Sequence, residues 1–150
     1  MAPDRARDSG VSKPKAAIVV ILDTSALIYP FQTGVDFVKG VQENVLVPVT
    51  FAVTDGVVRE LESIRRGRSP SLSMAAEKAL AFSKDLRVLH STATNTDEQI
   101  ASLAAENGAA VATADSVLRR ELRKRRIPVV FVSKGKRIRI EGNFPRGSVV

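Results

Sequence analysis

The chain lacks cysteine altogether and has one histidine, His90, among its 150 residues. Disulfides and thiolate metal sites are therefore excluded, and a reducing, cytoplasmic compartment suits this composition. One imidazole cannot form a histidine-based metal cluster, and His90 is expected to be a surface residue without a catalytic role. Any metal ion that this chain binds must be held by oxygen atoms.

Aromatic residues and long apolar runs are also scarce. With no Trp, one Tyr and six Phe, the chain is expected to make little use of stacking on nucleic acid bases. The longest apolar run, 16–22, is far shorter than the roughly 20 residues of a membrane-spanning helix, so no membrane partner is expected. The segment 1–15 has no apolar signal core and is predicted to be a disordered tail.

Positive charge is present in excess, and it is concentrated in one part of the chain. The formal net charge is +7. Between Arg119 and Arg139 there are ten basic residues and one acid, so this segment alone carries +9 and the rest of the chain carries −2. A basic segment attached to a mildly acidic remainder indicates a polyanionic partner.

Short apolar runs alternate with segments of helical periodicity along the whole chain. Strands are predicted at 16–22, 45–53, 86–90, 109–113 and 127–132, with an edge strand at 136–141. This alternation predicts βαβ units and an α/β fold, a three-layer sandwich with a mostly parallel central sheet. One domain is expected over 16–142, followed by a flexible tail at 143–150.

Two local features qualify this prediction. Pro48 favours an edge or irregular position for the strand at 45–53, because proline cannot donate to a sheet ladder. Ser73 is the predicted N-cap of a helix over 74–85.

Four acids fall where a parallel sheet can bring them to one edge. Asp23 and Asp115 each follow a predicted strand, and ligands of open parallel sheets sit beyond the carboxyl ends of the strands. Asp97 lies in the first turn of a helix and Glu60 one turn inside another. Carboxylates that share a cleft need positive charge between them, and Mg²⁺ or Mn²⁺ suits oxygen ligands.

Each of these residues also has an ordinary structural explanation. Asp97 and Asp115 can serve as helix N-caps, and Glu60 can be an i, i+4 partner. Ser25 and Thr113 are hydroxyls beside the acids. They can contact a carboxylate or an RNA phosphate, or they can form a local turn or strand-end hydrogen bond.

The order of these motifs resembles that of the PIN-domain ribonucleases over 18–142. "ILDTSALI" and "VVRELESI" resemble the first and second motifs of that family, and "TDEQIASLAAENGAAVATAD" resembles its joined third and fourth motifs. The tail "RIPVVFVSKGKRIRIEG" is similar to archaeal-type members. Each motif is weak alone, whereas four in the right order are specific.

The resemblance implies a metal-dependent endoribonuclease that hydrolyses RNA phosphodiester bonds with Mg²⁺ or Mn²⁺. It implies that Asp23, Asp97 and Asp115 are metal ligands, directly or through water. Glu60 is then the acid that orients a metal-bound water.

The chain departs from the family pattern around the fourth motif. Ala114 stands where the family often has a polar or acidic residue, and Ser116 and Val117 stand where some members carry one more acid. These departures leave one metal site expected and a complete second site unsupported.

The basic segment is predicted to contact the RNA backbone, whether the RNA is single-stranded or structured. The residues expected to make these contacts are Arg119, Arg120, Arg137 and Arg139. The alternative is that these charges only complement a helix dipole and are otherwise solvated.

Three functions fit these observations. The first is an endoribonuclease of RNA processing or quality control, which is compatible with a ribosome-assembly partner. The second is the toxin ribonuclease of a toxin–antitoxin pair, which needs a cognate antitoxin, and a homodimer is compatible with either. The third is a non-catalytic RNA-binding module, against which the presence of all four acids counts. An aspartyl-phosphate enzyme or receiver domain does not fit, because Asp23 lacks the second nearby aspartate.

Overall fold

The computed structural model describes residues 17–134, 136–144 and 149. The predicted tail at 1–15 lies outside the described residues, as do 145–148 and 150 of the predicted tail at 143–150. Val149 forms an isolated antiparallel bridge with Val45. Within the described part of the chain, no helix has both the length and the apolar character needed to cross a bilayer.

Strands and helices alternate through the described residues as the sequence predicts. The strands are β1 Ile18–Leu22, β2 Val49–Thr54, β3 Arg87–Leu89, β4 Ala110–Ala112, β5 Val129–Val132 and β6 Ile138–Glu141. The helices are α1 Thr24–Thr33, α2 Phe37–Asn44, α3 Asp55–Arg65, α4 Pro70–Ser83, α5 Thr96–Asn107 and α6 Ser116–Lys124.

All six strands form one sheet in the order β3-β2-β1-β4-β5-β6. Every pairing is parallel except that of β6, which is antiparallel to β5 at the edge of the sheet. The predicted α/β sandwich with a mostly parallel sheet is confirmed. Because β1 to β5 run in the same direction, their carboxyl ends meet at one edge. This carboxyl edge is formed by the residues that follow the five strands, namely Asp23, Asp55, His90, Thr113 and Ser133.

Helices cover both faces of the sheet. Gly40 of α2 lies against Ile138, whereas Arg119 of α6 lies against Phe131. Phe131 pairs with Arg139, the neighbour of Ile138, and successive strand residues point to opposite faces. The central strand β1 is therefore enclosed on both sides, which explains its uninterrupted β-branched and aliphatic sequence.

Two local predictions are wrong. The edge position is wrong for the strand predicted at 45–53, because β2 is internal, between β3 and β1; the irregular part is 45–48, so Pro48 precedes the regular strand and no ladder N–H is lost. Helix α4 begins at Pro70 and not after Ser73, since proline fits the first helical position and Ser69 caps the helix through the Leu72 N–H at 3.3 Å.

The packing of α2 on β6 depends on a glycine. A Cβ atom at Gly40 would lie 2.4 Å from Cγ1 and 2.6 Å from Cβ of Ile138. No real Cβ atom tolerates these distances, so the helix approaches the strand closely only because residue 40 has no side chain.

Gly40→Ala should lower the free energy of unfolding by about 1–2 kcal/mol, because overpacking outweighs the gain in helix propensity. Urea unfolding measures this change. In a double-mutant cycle, Ile138→Ala should cost less in the Gly40→Ala background than in the unaltered protein. A gain in stability from Gly40→Ala alone would contradict the close approach.

Candidate active site

The four predicted acids meet in one pocket at the carboxyl edge. This acid pocket has a volume of about 240 Å³ and is lined by Asp23, Thr24, Ser25, Glu60, Thr96, Asp97, Ile100 and Asp115. The acids come from four different parts of the chain, and none of the described residues lining the pocket is basic. The fold therefore concentrates negative charge at one place.

Asp23 is the most buried of the four acids, with 5% of its surface exposed. Its Oδ1 accepts hydrogen bonds from Ala26 N at 2.8 Å and from Ser25 Oγ at 2.7 Å, and its Oδ2 accepts one from Thr113 Oγ1. Burial raises the pKa of Asp23 to about 6, although these hydrogen bonds act to lower it, and the charge of Asp115 raises it further. A cation in the pocket would favour the ionised form.

Ser25 and Thr113 join the end of β1 to the end of β4. Ser25 Oγ accepts a hydrogen bond from Ala114 N at 2.8 Å, and Thr113 Oγ1 accepts one from Asp115 N at 3.0 Å. Thr113 has no exposed surface, so it is placed to orient Asp23 and not to touch RNA. Ser25 lines the acid pocket and remains accessible to a ligand there.

Asp115 caps a helix and lines the acid pocket at the same time. Its Oδ1 accepts hydrogen bonds from Val117 N at 2.8 Å and Leu118 N at 3.4 Å, at the start of α6. The two explanations weighed for this residue are therefore not exclusive, because capping occupies only Oδ1.

The N-cap explanation of Asp97 is wrong, because Asn95 caps α5 through Glu98 N at 3.0 Å. Asp97 sits in the first turn of that helix, and its side chain is exposed at the pocket. The pKa of Asp97 is raised, mainly because the pocket partly removes its carboxylate from water and also because of the charges of Asp115 and Glu60. The negative charges of the neighbouring acids thus disfavour the ionisation of Asp97.

Glu60 is bound by Thr24, whose Oγ1 donates a hydrogen bond to Glu60 Oε1. The explanation of Glu60 as an i, i+4 partner is wrong, since Gly56 and Ile64 occupy those positions. The first motif thus supplies a buried acid, Asp23, and in the next residue, Thr24, a hydroxyl that binds a second acid.

Gln99 is a residue of this site that the sequence reasoning missed. It is 1% exposed; its Oε1 accepts a hydrogen bond from Gly56 N at 2.9 Å, and its Nε2 donates one to Ser91 O at 3.3 Å. A Cβ atom at Gly56 would lie 2.4 Å from Gln99 Oε1. The amide ties α5, which carries Asp97, to α3, which carries Glu60. Gln99 lies within the quoted third motif, but its role is not apparent from the sequence, because a glutamine near the start of a helix is ordinarily solvated.

The donor set fits a hard divalent cation, since it consists only of carboxylate and hydroxyl oxygens. Among the described residues, no group of three or more His, Asp or Glu side chains has an arrangement that would hold an ion directly.

The predicted RNA-binding arginines lie outside the acid pocket. Arg119 is already engaged, since Nε and Nη2 each donate to Glu141 at 3.1 Å and its guanidinium lies 3.5 Å from the centre of the Phe131 ring. Arg120 is exposed on the same helix. Arg137 and Arg139 are exposed and line a separate groove between α2 and β6.

Asp23→Asn should stabilise the metal-free protein at pH 8 and have much less effect at pH 4. The folded chain keeps a proton on Asp23 up to its pKa of about 6, whereas the unfolded chain loses it near 3.8. Stability from this group is thus present below the unfolded pKa and lost as the pH rises through about 6. The full difference corresponds to about 3 kcal/mol at most.

Urea unfolding in EDTA at the two pH values measures this difference. Asp36→Asn is the matched control, because Asp36 is an exposed N-cap, accepting from Lys39 N at 3.1 Å, and lies outside the acid pocket. Asparagine caps about as well as aspartate, so capping is conserved in both variants. An equal effect of Asp23→Asn at both pH values would contradict the raised pKa.

Comparison with known proteins identifies relatives of this chain. Ribonuclease VapC4 of Methanocaldococcus jannaschii is 29% identical over 126 residues, covering 82% of this chain and 96% of that protein. Ribonuclease VapC9 of Archaeoglobus fulgidus is 29% identical over 141 residues, covering 94% of this chain and 98% of that protein.

Solved structures show the same fold. The structure of the PIN domain endonuclease Utp24 has a TM-score of 0.68 and 27% sequence identity, covering 83% of this chain and 92% of that chain. A domain of a functionally unknown protein from Methanocaldococcus jannaschii has a TM-score of 0.57 at 17% identity, over 85% of this chain and 99% of that chain, and shows the fold alone.

The family match covers the segment that contains the whole acid pocket. The family described as PIN like domain matches residues 20–135, which include Asp23, Glu60, Asp97 and Asp115. This match, together with the six-stranded sheet and the relatives above, confirms the resemblance seen in the sequence: the chain belongs to the PIN like domain family.

Proposed function

We propose that this protein is an endoribonuclease that hydrolyses RNA phosphodiester bonds at the acid pocket with the help of Mg²⁺ or Mn²⁺. The observation that carries the proposal is the convergence of four acids, from separate elements, on one pocket without a basic lining residue. The relatives named as ribonucleases and as a PIN domain endonuclease support the same activity.

Asp23, Asp97 and Asp115 are the residues that would hold the cation, directly or through water. When bound, a divalent cation makes a water more acidic and stabilises charge on the attacked phosphate and the leaving oxygen. Ser25 and Thr113 fix the Asp23 carboxylate by hydrogen bonds, so its orientation is set before any ligand enters.

Glu60 orients the attacking water in this proposal. Its side chain is held at the pocket by the Thr24 hydroxyl, and Gln99 sets the position of its helix relative to α5. A carboxylate fixed in this way can accept a hydrogen bond from water without first losing rotational freedom.

RNA is bound in this proposal by the exposed basic residues near the carboxyl edge. The turn that joins β5 to β6 contributes Lys134, Lys136 and Arg137, called the basic hairpin here, and Arg139 follows in β6. Two backbone hydrogen bonds across the turn, from Ser133 N to Arg137 O at 2.8 Å and from Lys136 N to Ser133 O at 3.1 Å, keep the basic hairpin at this edge. Arg120 adds a further exposed charge, whereas Arg119 serves the contact between α6 and β6.

RNA processing or quality control in the cytoplasm is the cellular role that we propose for this activity. The convergence of the four acids counts against a non-catalytic RNA-binding module. The toxin alternative uses the same site but differs in its partner. A toxin would bind an antitoxin, whereas a processing enzyme would bind a ribosome-assembly protein or another RNA–protein partner. Identification of the proteins that copurify with the chain distinguishes these two roles.

Cleavage of an unstructured RNA should require Mn²⁺ or Mg²⁺ and should be lost in Asp115→Asn. Asparagine keeps the helix cap but removes a charged ligand. Replacing a residue that only supports a metal ligand lowers activity by about 10–100-fold, so losing a ligand itself should lower the cleavage rate by more than that. Mn²⁺ should raise the melting temperature of the unaltered protein much more than that of the variant. Asp85→Asn is the control and should behave as the unaltered protein, because Asp85 is exposed and precedes β3 at the opposite edge of the sheet. Undiminished cleavage by Asp115→Asn, or in excess EDTA, would exclude this mechanism.

RNA affinity should fall steeply with salt, and Arg137→Ala combined with Arg139→Ala should flatten that dependence. When two fewer phosphates of a single strand are neutralised, the logarithmic slope falls by about 1.4. Binding is measured in the Asp115→Asn background, where the RNA stays intact. The control replaces Arg65 and Arg66, which are bound to Glu62 at the far end of α3. If affinity and slope are unchanged, β6 is a solvated edge without contact to RNA.

A further inference from the structure

A second polar cluster lies on the carboxyl edge, outside the acid pocket. Asp55 follows β2, His90 follows β3, and Arg59 lies one turn inside α3. Arg59 Nη1 is 3.2 Å from Asp55 Oδ2, and His90 Nδ1 is 3.7 Å from the same oxygen. The side chains of Arg59 and His90 are 65% and 75% exposed, so both project into solvent.

Most hydrogen-bond donors of this cluster are available to a ligand. A guanidinium carries five N–H donors, and in the described part of the chain Arg59 uses one of them, from Nη1 to Asp55 Oδ2. His90 faces Asp55 through Nδ1, which directs Nε2 away from the carboxylate. One carboxylate oxygen therefore orients two side chains without exhausting their capacity to bind an anion.

The position of the cluster relates it to the acid pocket. Neighbouring strands of a sheet are about 4.8 Å apart, so His90 at the end of β3 lies about 10 Å from Asp23 at the end of β1. Ser133, at the end of β5, lies about as far from Asp23 on the opposite side. Arg59 also directly precedes Glu60, which lines the acid pocket. The acid pocket thus has the basic hairpin on one side and Arg59 with His90 on the other.

We propose that Arg59 and His90 bind a phosphate of the RNA on the β3 side of the acid pocket. The RNA strand then runs along the carboxyl edge, from the basic hairpin across the acids to this cluster. Guanidinium groups bind phosphate through paired N–H donors, and the imidazole adds one more donor when Nε2 is protonated. This inference rests on the proposed function and adds to it the path of the bound RNA strand along the carboxyl edge.

The test compares RNA oligonucleotides of increasing length. In the Asp115→Asn background, lengthening the RNA at one end, 5′ or 3′, should raise its affinity once the strand reaches Arg59 and His90. The double change Arg59→Gln with His90→Gln should remove this gain for extension at that end and keep the gain for extension at the other. The slope of affinity against salt for the long RNA should fall by about 0.7 for each phosphate that the variant no longer neutralises.

Arg66→Gln is the matched control. Arg66 directly follows α3, at the opposite end of the helix from Arg59, and is 64% exposed. It pairs with Glu62 four residues earlier, as Arg59 pairs with Asp55. It lies away from the carboxyl edge, so its replacement should leave the affinity for every RNA length unchanged. Melting temperatures of all variants confirm that the fold is retained.

Two results would overturn this inference. One is full retention of the length-dependent gain by the Arg59→Gln, His90→Gln variant, and the other is an equal loss for extensions at both ends. Failure of the proposed function is a different result, because the unaltered chain would then neither bind nor cleave RNA of any length with Mn²⁺ or Mg²⁺. That outcome overturns both proposals, whereas a defect limited to one direction of extension supports this one.

Discussion

The hydrogen bonds that Asp23 accepts at the end of β1 are the constraint on which the site depends. A carboxylate that is 5% exposed is stable only with partners, and here they come from the start of α1 and from Thr113 after β4. The same contacts fix the end of the central strand, the first turn of α1 and the entry to α6. One buried acid thereby connects the packing of the sheet to the shape of the acid pocket.

Two acids at the carboxyl edge each cap a helix and also line the acid pocket. Asp23 and Asp115 both cap helices that begin within four residues of the end of a parallel strand, and both line the acid pocket. A strand that ends at the carboxyl edge and continues into a helix places the N-cap side chain at that edge. The cap of Asp115 uses Oδ1 alone, so its Oδ2 can face a ligand, whereas Oδ2 of Asp23 also accepts a hydrogen bond from Thr113. An N-cap aspartate after a parallel strand is therefore compatible with a catalytic role.

The excess positive charge divides into two groups. Part of it stabilises the fold: Arg119 and Arg123 contact Glu141, and Arg125 is bound to Glu98 through two hydrogen bonds of 2.8 and 2.9 Å. The Arg119 hydrogen bonds hold the pKa of Glu141 below its usual value, which agrees with a stable ion pair. The rest of the basic segment is exposed and available to a polyanion: the three residues of the basic hairpin, together with Arg120, Lys124, Arg126 and Arg139. A count of charges along the sequence therefore overstates the number of basic residues that are available to a polyanion.

The sequence by itself determined the alternation of strands and helices, the mostly parallel sheet and the four acids, because periodicity and strand-end position are local properties. It did not reveal that Pro48 precedes an internal strand, that Gln99 joins two helices, or that Arg119 is bound to Glu141. These features depend on the strand order β3-β2-β1-β4-β5-β6, which brings together residues far apart in the chain. The cluster of Asp55, Arg59 and His90 became visible for the same reason, since β2 and β3 are neighbours only in the folded sheet. Local pattern specifies which residues end a strand, whereas tertiary packing decides which of those ends are adjacent.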